Sequence, residues 1–193
     1  MGSIQGRYRR NNGDKLAYYN ALDPASPDTL LERSIPRLDA QDVTIALATT
    51  GKITTAKVTL ETGELVTNLS FISGTTAGVT MTSWWLALWD ADNKLVGQTA
   101  DQVAGAIGAS TVFTLPLATA KRVGSGGVCR IGLCIAAATV PTVRGITLAP
   151  AITVGTPAEG TIAEETTATY TTAAPAALPA LTARLGTPYF LAS

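Results

Sequence analysis

The chain of 193 residues contains no histidine. That removes the commonest general base, the commonest zinc ligand and every Ser-His or Cys-His dyad at once. Cysteine is scarce too. Cys129 and Cys134 lie five positions apart in GVCRIGLCIAAATV, a stretch that reads as a strand. A strand sends them to opposite faces and holds them roughly 16 Å apart, too far for a disulfide. Cys129 shares its face with Ile131, Leu133 and Ile135 and reads as a small core residue. Charged residues make up only 15%, and 14 basic side chains balance 14 acidic ones. No net field is available to hold the chain on nucleic acid or an anionic membrane. No apolar run approaches the roughly 20 residues that span a bilayer. The first twenty residues lack an apolar h-region, so no signal peptide is expected.

What is present is apolar and β-prone. Apolar residues reach 46%, which excludes a generally disordered chain. Short runs at Val43–Ala48, Ala56–Leu60, Asn68–Ser73, Ser83–Asp90, Leu95–Gln98, Thr111–Leu115, Gly127–Ala137 and Arg144–Leu148 read as strands. Turn signals at 61–64, 74–78 and 124–127 punctuate them, and no amphipathic crossover helix is present. The fold class this predicts is all-β, an antiparallel β-sandwich of jelly-roll-like or Ig-like type, over residues 42–150.

Two arms flank it. Residues 1–41 are rich in Gly and X-Pro steps, and Ser26–Arg33 reads as one short helix with Ser26 as N-cap and Pro27 at N1. Residues 151–193 are rich in Thr, Ala and Pro, and by composition alone would be a linker. They end, however, in an apolar plug of Leu181, Leu185, Tyr189, Phe190 and Leu191. Both arms are therefore expected to be pinned by neighbouring subunits, with Tyr8, Tyr18, Tyr19, Tyr189 and Phe190 as aromatic anchors.

All three tryptophans fall in TSWWLALWDADNKLVGQT. Period two puts Trp84, Leu86 and Leu88 on one face and Trp85, Ala87 and Trp89 on the other. Both faces are apolar, so one meets the core and the other a loop, a second chain or a ligand. Trp85 and Trp89 are thus interface candidates, under an arm or a subunit. Their alternative role is a stacking platform for a sugar, with Asp90, Asp92, Asn93 and Gln98 as the nearby polar groups.

Other signals for chemistry are weak. Asp90-Ala91-Asp92-Asn93 resembles the start of a calcium loop but lacks its sixth-position glycine and closing glutamate, and reads as a hairpin turn. Gly124–Gly127 has no P-loop lysine and reads as a turn. Glu164 and Glu165 lie in the Thr-rich tail and read as a solvated pair. Arg7, Arg9 and Arg10 around Tyr8 fit an acidic patch on a partner protein better than nucleic acid. No nucleophile–base pair can be assembled. The sequence therefore predicts a non-enzyme, with no catalytic residues, no metal and no cofactor.

The run from about Lys57 to Val143 resembles a β-sandwich module of virion structural proteins in tailed bacteriophages, notably those infecting actinobacteria. SWWLALWDADNKLVGQTADQ, VFTLPL and GVCRIGLCIAAATVPT carry the resemblance. It covers about half the chain, as pattern and order without a catalytic signature. It implies a minor tail or capsid-decoration protein, assembled in the host cytoplasm into the virion. The partners implied are copies of itself and other tail or capsid proteins. The rival expectation is a carbohydrate-binding module that contacts host-surface glycan.

Overall fold

The structure, a computed structural model, describes residues 32–35, 44–47, 50–103, 105–147, 163–184 and 186–193. These form thirteen strands and no helix. In chain order they are β1 (Glu32–Arg33), β2 (Thr44–Ala46), β3 (Ile53–Leu60), β4 (Leu65–Ile72), β5 (Val79–Trp89), β6 (Leu95–Gln98) and β7 (Val112–Arg122). There follow β8 (Gly127–Thr139), β9 (Thr142–Thr147), β10 (Ala163–Thr166), β11 (Leu181–Arg184), β12 (Gly186–Pro188) and β13 (Phe190–Ala192).

The strands make a six-stranded sheet in the order β11-β10-β3-β8-β5-β6, a four-stranded sheet β1-β13-β4-β7 and a smaller sheet β12-β9-β2. The ladders are antiparallel. The chain is thus an all-β antiparallel sandwich, as its short strands and turn signals predict. Every strand read from the sequence is present, most of them longer than the apolar run that signalled them.

The core lies between the two larger sheets. Leu86 and Leu88 of β5 and Ile131 and Leu133 of β8 enter the same buried cluster as Leu69 and Phe71 of β4 and Phe190 of β13. Aromatic rings tie the layers together. Phe71 stacks on Phe113 at 5.0 Å, and Trp84 meets Phe71 and Phe113 edge-on at 5.8 and 5.4 Å, separations at which ring quadrupoles attract. Pro116 is tolerated within β7 because β7 is the edge of its sheet.

Of the segment read as a C-terminal arm, the described residues 163–184 and 186–193 belong to the sandwich. β10 extends the six-stranded sheet along β3, and β13 inserts between β1 and β4, with Phe190 opposite Phe71. At the irregularity in β4, the amides of Thr67 and Asn68 both donate to Ser193 O, at 2.7 and 2.8 Å. The terminal strand thereby satisfies amides that the interrupted ladder leaves over.

This corrects two expectations. Phe190 is 0% exposed in the chain's own core. Tyr189 packs with Ile35 beside Ile72, Ile146 and Leu191. Neither ring is left exposed for a neighbouring subunit, because the placement of β13 between β4 and β1 buries both within the same chain. The end of the helix read over Ser26–Arg33 is also a strand. Glu32–Arg33 pairs with β13, and Ser34 holds the junction by donating to Pro188 O at 2.7 Å and accepting from Phe190 N at 2.8 Å. A helix that short cannot stand alone, so tertiary pairing prevails. Residues 26–31, and with them Tyr8, Tyr18, Tyr19 and Arg7–Arg10, lie outside the described residues.

Candidate functional site

The tryptophan strand is the feature around which a site could be built. β5 lies between β8 and β6. Trp84, Leu86 and Leu88 face the main core. Trp85, Ala87 and Trp89 face outward from it, yet Trp85 and Trp89 are 0% exposed. The cover is the chain's own segment 170–178, an extended strap between β10 and β11 that lays Tyr170, Ala174 and Leu178 against this second face.

The strap is fixed by its backbone. Trp85 Nε1 donates to Thr171 O at 2.6 Å, and Trp89 Nε1 donates to Pro175 O at 3.0 Å. A buried indole N–H needs an acceptor, and the strap carbonyls supply both. Gln98 on β6 clamps the strap at two points, its Nε2 donating to Thr172 O at 2.9 Å and its Oε1 accepting from Ala174 N at 2.7 Å. Leu95 N bonds Ala176 O, Leu178 N bonds Asn93 O and Tyr170 N bonds Gly51 O.

Beneath Trp89 lies Gly132 of β8. A Cβ there would come within 2.8 Å of Trp89 Cζ3 and 2.7 Å of Ile53 Cγ2. The ring occupies the volume that any side chain would need. Cys134 is buried on the same face, its Sγ 3.4 Å from Gly51 O. Burial, and secondarily the Asp101 carboxylate, push this thiol up to about 12. Cys129, on the opposite face, is also raised by burial. Both are protonated core residues, without the electropositive setting that makes a thiol reactive.

The stacking-platform expectation is therefore corrected: neither Trp85 nor Trp89 presents a ring face to a sugar, because the strap is seated on both. Gln98, Asp90 and Asn93, three of its four polar partners, are committed elsewhere. Gln98 holds the strap. Asp90 Oδ1 accepts from the amides of Asp92 and Lys94 at 3.0 and 2.9 Å and closes the hairpin, with Asn93 at φ 61°. This is the turn read from Ala91–Lys94, built by an Asx-type bond.

Glu164 and Glu165 are not a solvated pair. The register of β10 against β3 brings Glu164 to Arg130 at 2.8 Å and Lys57 at 3.8 Å. Glu165 meets Arg184 and, at 3.8 Å, Lys52. Arg130 also donates to Asn93 Oδ1 at 2.9 Å, tying this cluster to the β5–β6 hairpin. Asp101 accepts from Ser83 Oγ at 2.7 Å and from Trp84 N at 3.1 Å. Among the described residues no group of three or more His, Cys, Asp or Glu is placed to hold a metal ion.

The strap and Gly132 are the parts that sequence reasoning missed. One signal for the strap was present: residues 166–183 carry no charge, unlike a solvated linker of that length. Compared with known proteins, the chain matches no family model and no curated protein.

Proposed function

We propose that the chain is a non-catalytic structural component of a tailed-phage virion, a minor tail or capsid-associated protein that assembles with copies of itself and with neighbouring virion proteins. One observation carries the structural part of this reading. Five polar groups that chemistry could draw on are committed to holding the fold: Glu164 and Glu165 to cations, Asp90 to a turn, Asp101 to Ser83 and the β5 backbone, Gln98 to the strap. The two thiols are buried and protonated. The phage part rests on the resemblance of residues 57–143 to virion β-sandwich modules. Assembly in this reading uses outer surfaces of the sandwich and residues 1–31, since the C-terminal aromatics Tyr189 and Phe190 are buried within the chain's own fold.

The test is made on particles. Mass spectrometry of gradient-purified virions of the encoding phage should find the chain at a fixed stoichiometry to the major capsid or tail protein. A phage whose copy lacks residues 1–31 should lose it from the particle while the isolated truncated chain keeps native tryptophan emission. Purified particles without the chain would contradict the proposal.

A further inference from the structure

The two ends of the sandwich differ in charge. At one end lie the turns 61–64, 90–94 and 121–127, which carry Glu61, Glu64, Asp90, Asp92, Lys94, Lys121 and Arg122. At the other end lie segments 73–82, 105–112 and 138–142, in which no residue is charged. This second end is not merely polar and solvated. Val79 is 53% exposed and Val112 55%, and Val103, just before the second segment, is 71% exposed. Around them stand small residues and hydroxyls such as Thr76, Thr80 and Ser110, all exposed. A surface depleted of charge with exposed aliphatic groups has the composition of an interface core.

The end is also knit together. Gly74 N donates to Thr142 O at 2.7 Å, Ser110 N to Gly74 O at 2.7 Å, and Gly78 N to Ile107 O at 3.0 Å. Ser73 Oγ donates to Gly108 O at 2.6 Å and accepts from Thr111 N at 2.8 Å. Thr76 N donates to Thr142 Oγ1 at 3.0 Å. Three segments are thus locked to one another, and a locked surface loses little conformational freedom when it docks. Thr80 and Ser110 hold φ of 50° and 51° here, a conformation unfavourable for non-glycine residues and kept where the surroundings enforce it.

We infer that this charge-free end is an interface, and that its partner is the same end of a second copy, related by a two-fold axis. Charge chooses the partner. Docking against the charged end of a neighbour would strip water from Glu61, Glu64, Lys121 and Arg122 and return no counter-charge. Docking against itself buries no charge of these described segments and brings none of like sign together. The hydroxyls suit the symmetry, because each both donates and accepts and so can pair with its own copy. This inference rests on the reading of the chain as an assembly part and names its first contact. The two fail separately, since a monomer found in virions refutes only the contact, and a dimer absent from virions refutes only the virion.

The test is sedimentation of the full chain over a range of concentrations, beside single variants Val79→Glu and Val112→Glu and the opposite-end variants Leu65→Glu and Val128→Glu. Leu65 and Val128 are themselves 43% and 50% exposed. The wild-type chain should be a dimer. Each charge-free-end variant should raise the dimer dissociation constant about 100-fold, because the symmetry inserts its unpaired charge twice. The opposite-end variants should leave the constant unchanged. Native tryptophan emission checks that each variant folds. Hydrogen exchange of the unmodified chain should show segments 74–80 and 106–112 gaining protection with concentration. A wild-type monomer, a dimer broken only by Leu65→Glu or Val128→Glu, or concentration-independent protection of 74–80 from within the monomer would each overturn the inference.

Discussion

The two faces of β5 are equally apolar in sequence and equally closed in the structure, but different parts of the chain close them. Trp84, Leu86 and Leu88 are covered by a second sheet, through Phe71 and Phe113 on neighbouring strands that themselves alternate. Trp85 and Trp89 are covered by a strap of Thr, Ala and Pro with no regular ladder of its own. The first closure is side chain against side chain. The second depends as much on indole and amide hydrogen bonds to strap carbonyls as on apolar area. A face can thus be core without a facing sheet, provided that the cover's backbone groups find partners in the surface they cover.

Substitutions separate the two closures. The largest effects come from the rings. Trp84→Ala and Trp89→Ala should each cost about 3–5 kcal/mol in urea unfolding, as expected for large aromatic truncations in a core. If Trp89→Ala cost less than about 1 kcal/mol, the scale of a surface change, the second face would not be core. Next comes Gly132→Ala, which drives a methyl into Trp89 and Ile53 and should cost about 1–3 kcal/mol by overpacking. Combining it with Trp89→Phe should recover part of that loss, since a smaller ring vacates the contact, and a double-mutant cycle measures the coupling.

Gln98→Ala removes both clamp bonds and leaves two strap backbone groups unpaired. It should cost about 1–2 kcal/mol and raise hydrogen exchange in 171–176 while leaving β4 and β7 unchanged. Glu164→Gln leaves Arg130 and Lys57 without their carboxylate. It should cost about 1 kcal/mol, less in high salt because the group is partly exposed.

The last effect is silent at neutral pH and is confined to alkali. Folding raises the Cys134 thiol from 9.0 to about 12, so the folded chain favours the protonated form. Its contribution is complete below pH 9 and is lost as the pH rises from 9 toward 12, where the unfolded thiol ionises and the folded one does not. Cys134→Ala should flatten the fall in stability over that window, as read by thermal melts at stepped pH.

How much of this was legible follows from the same contrast. The strands from β2 to β9 announce themselves by apolar runs and turn chemistry, and the run Leu95–Gln98 coincides with β6. The hairpin at 90–94 was legible because Asp and Asn carry their own turn bonds. The destination of the C-terminal segment was not. Tyr189 and Phe190 are visible as apolar anchors, but which surface takes them is settled by the β13 register against β4, a long-range pairing that leaves no local trace. The strap was illegible for a related reason. Thr, Ala and Pro in extended backbone look like a linker, and what orders them is Trp85, Trp89 and Gln98, some seventy to ninety positions away. Glu164 and Glu165 likewise carry no local sign of pairing, since Arg130, Arg184, Lys52 and Lys57 reach them only through the placement of β10 between β3 and β11.

The most direct measurement is hydrogen exchange of the three indole N–H protons, followed by NMR on the full chain at a dilution where it is monomeric. All three should be protected, Trp84 by Gly105 O and Trp85 and Trp89 by the strap carbonyls. Protection of Trp84 alone, with Trp85 and Trp89 exchanging freely, would mean that the strap does not close the second face within one chain.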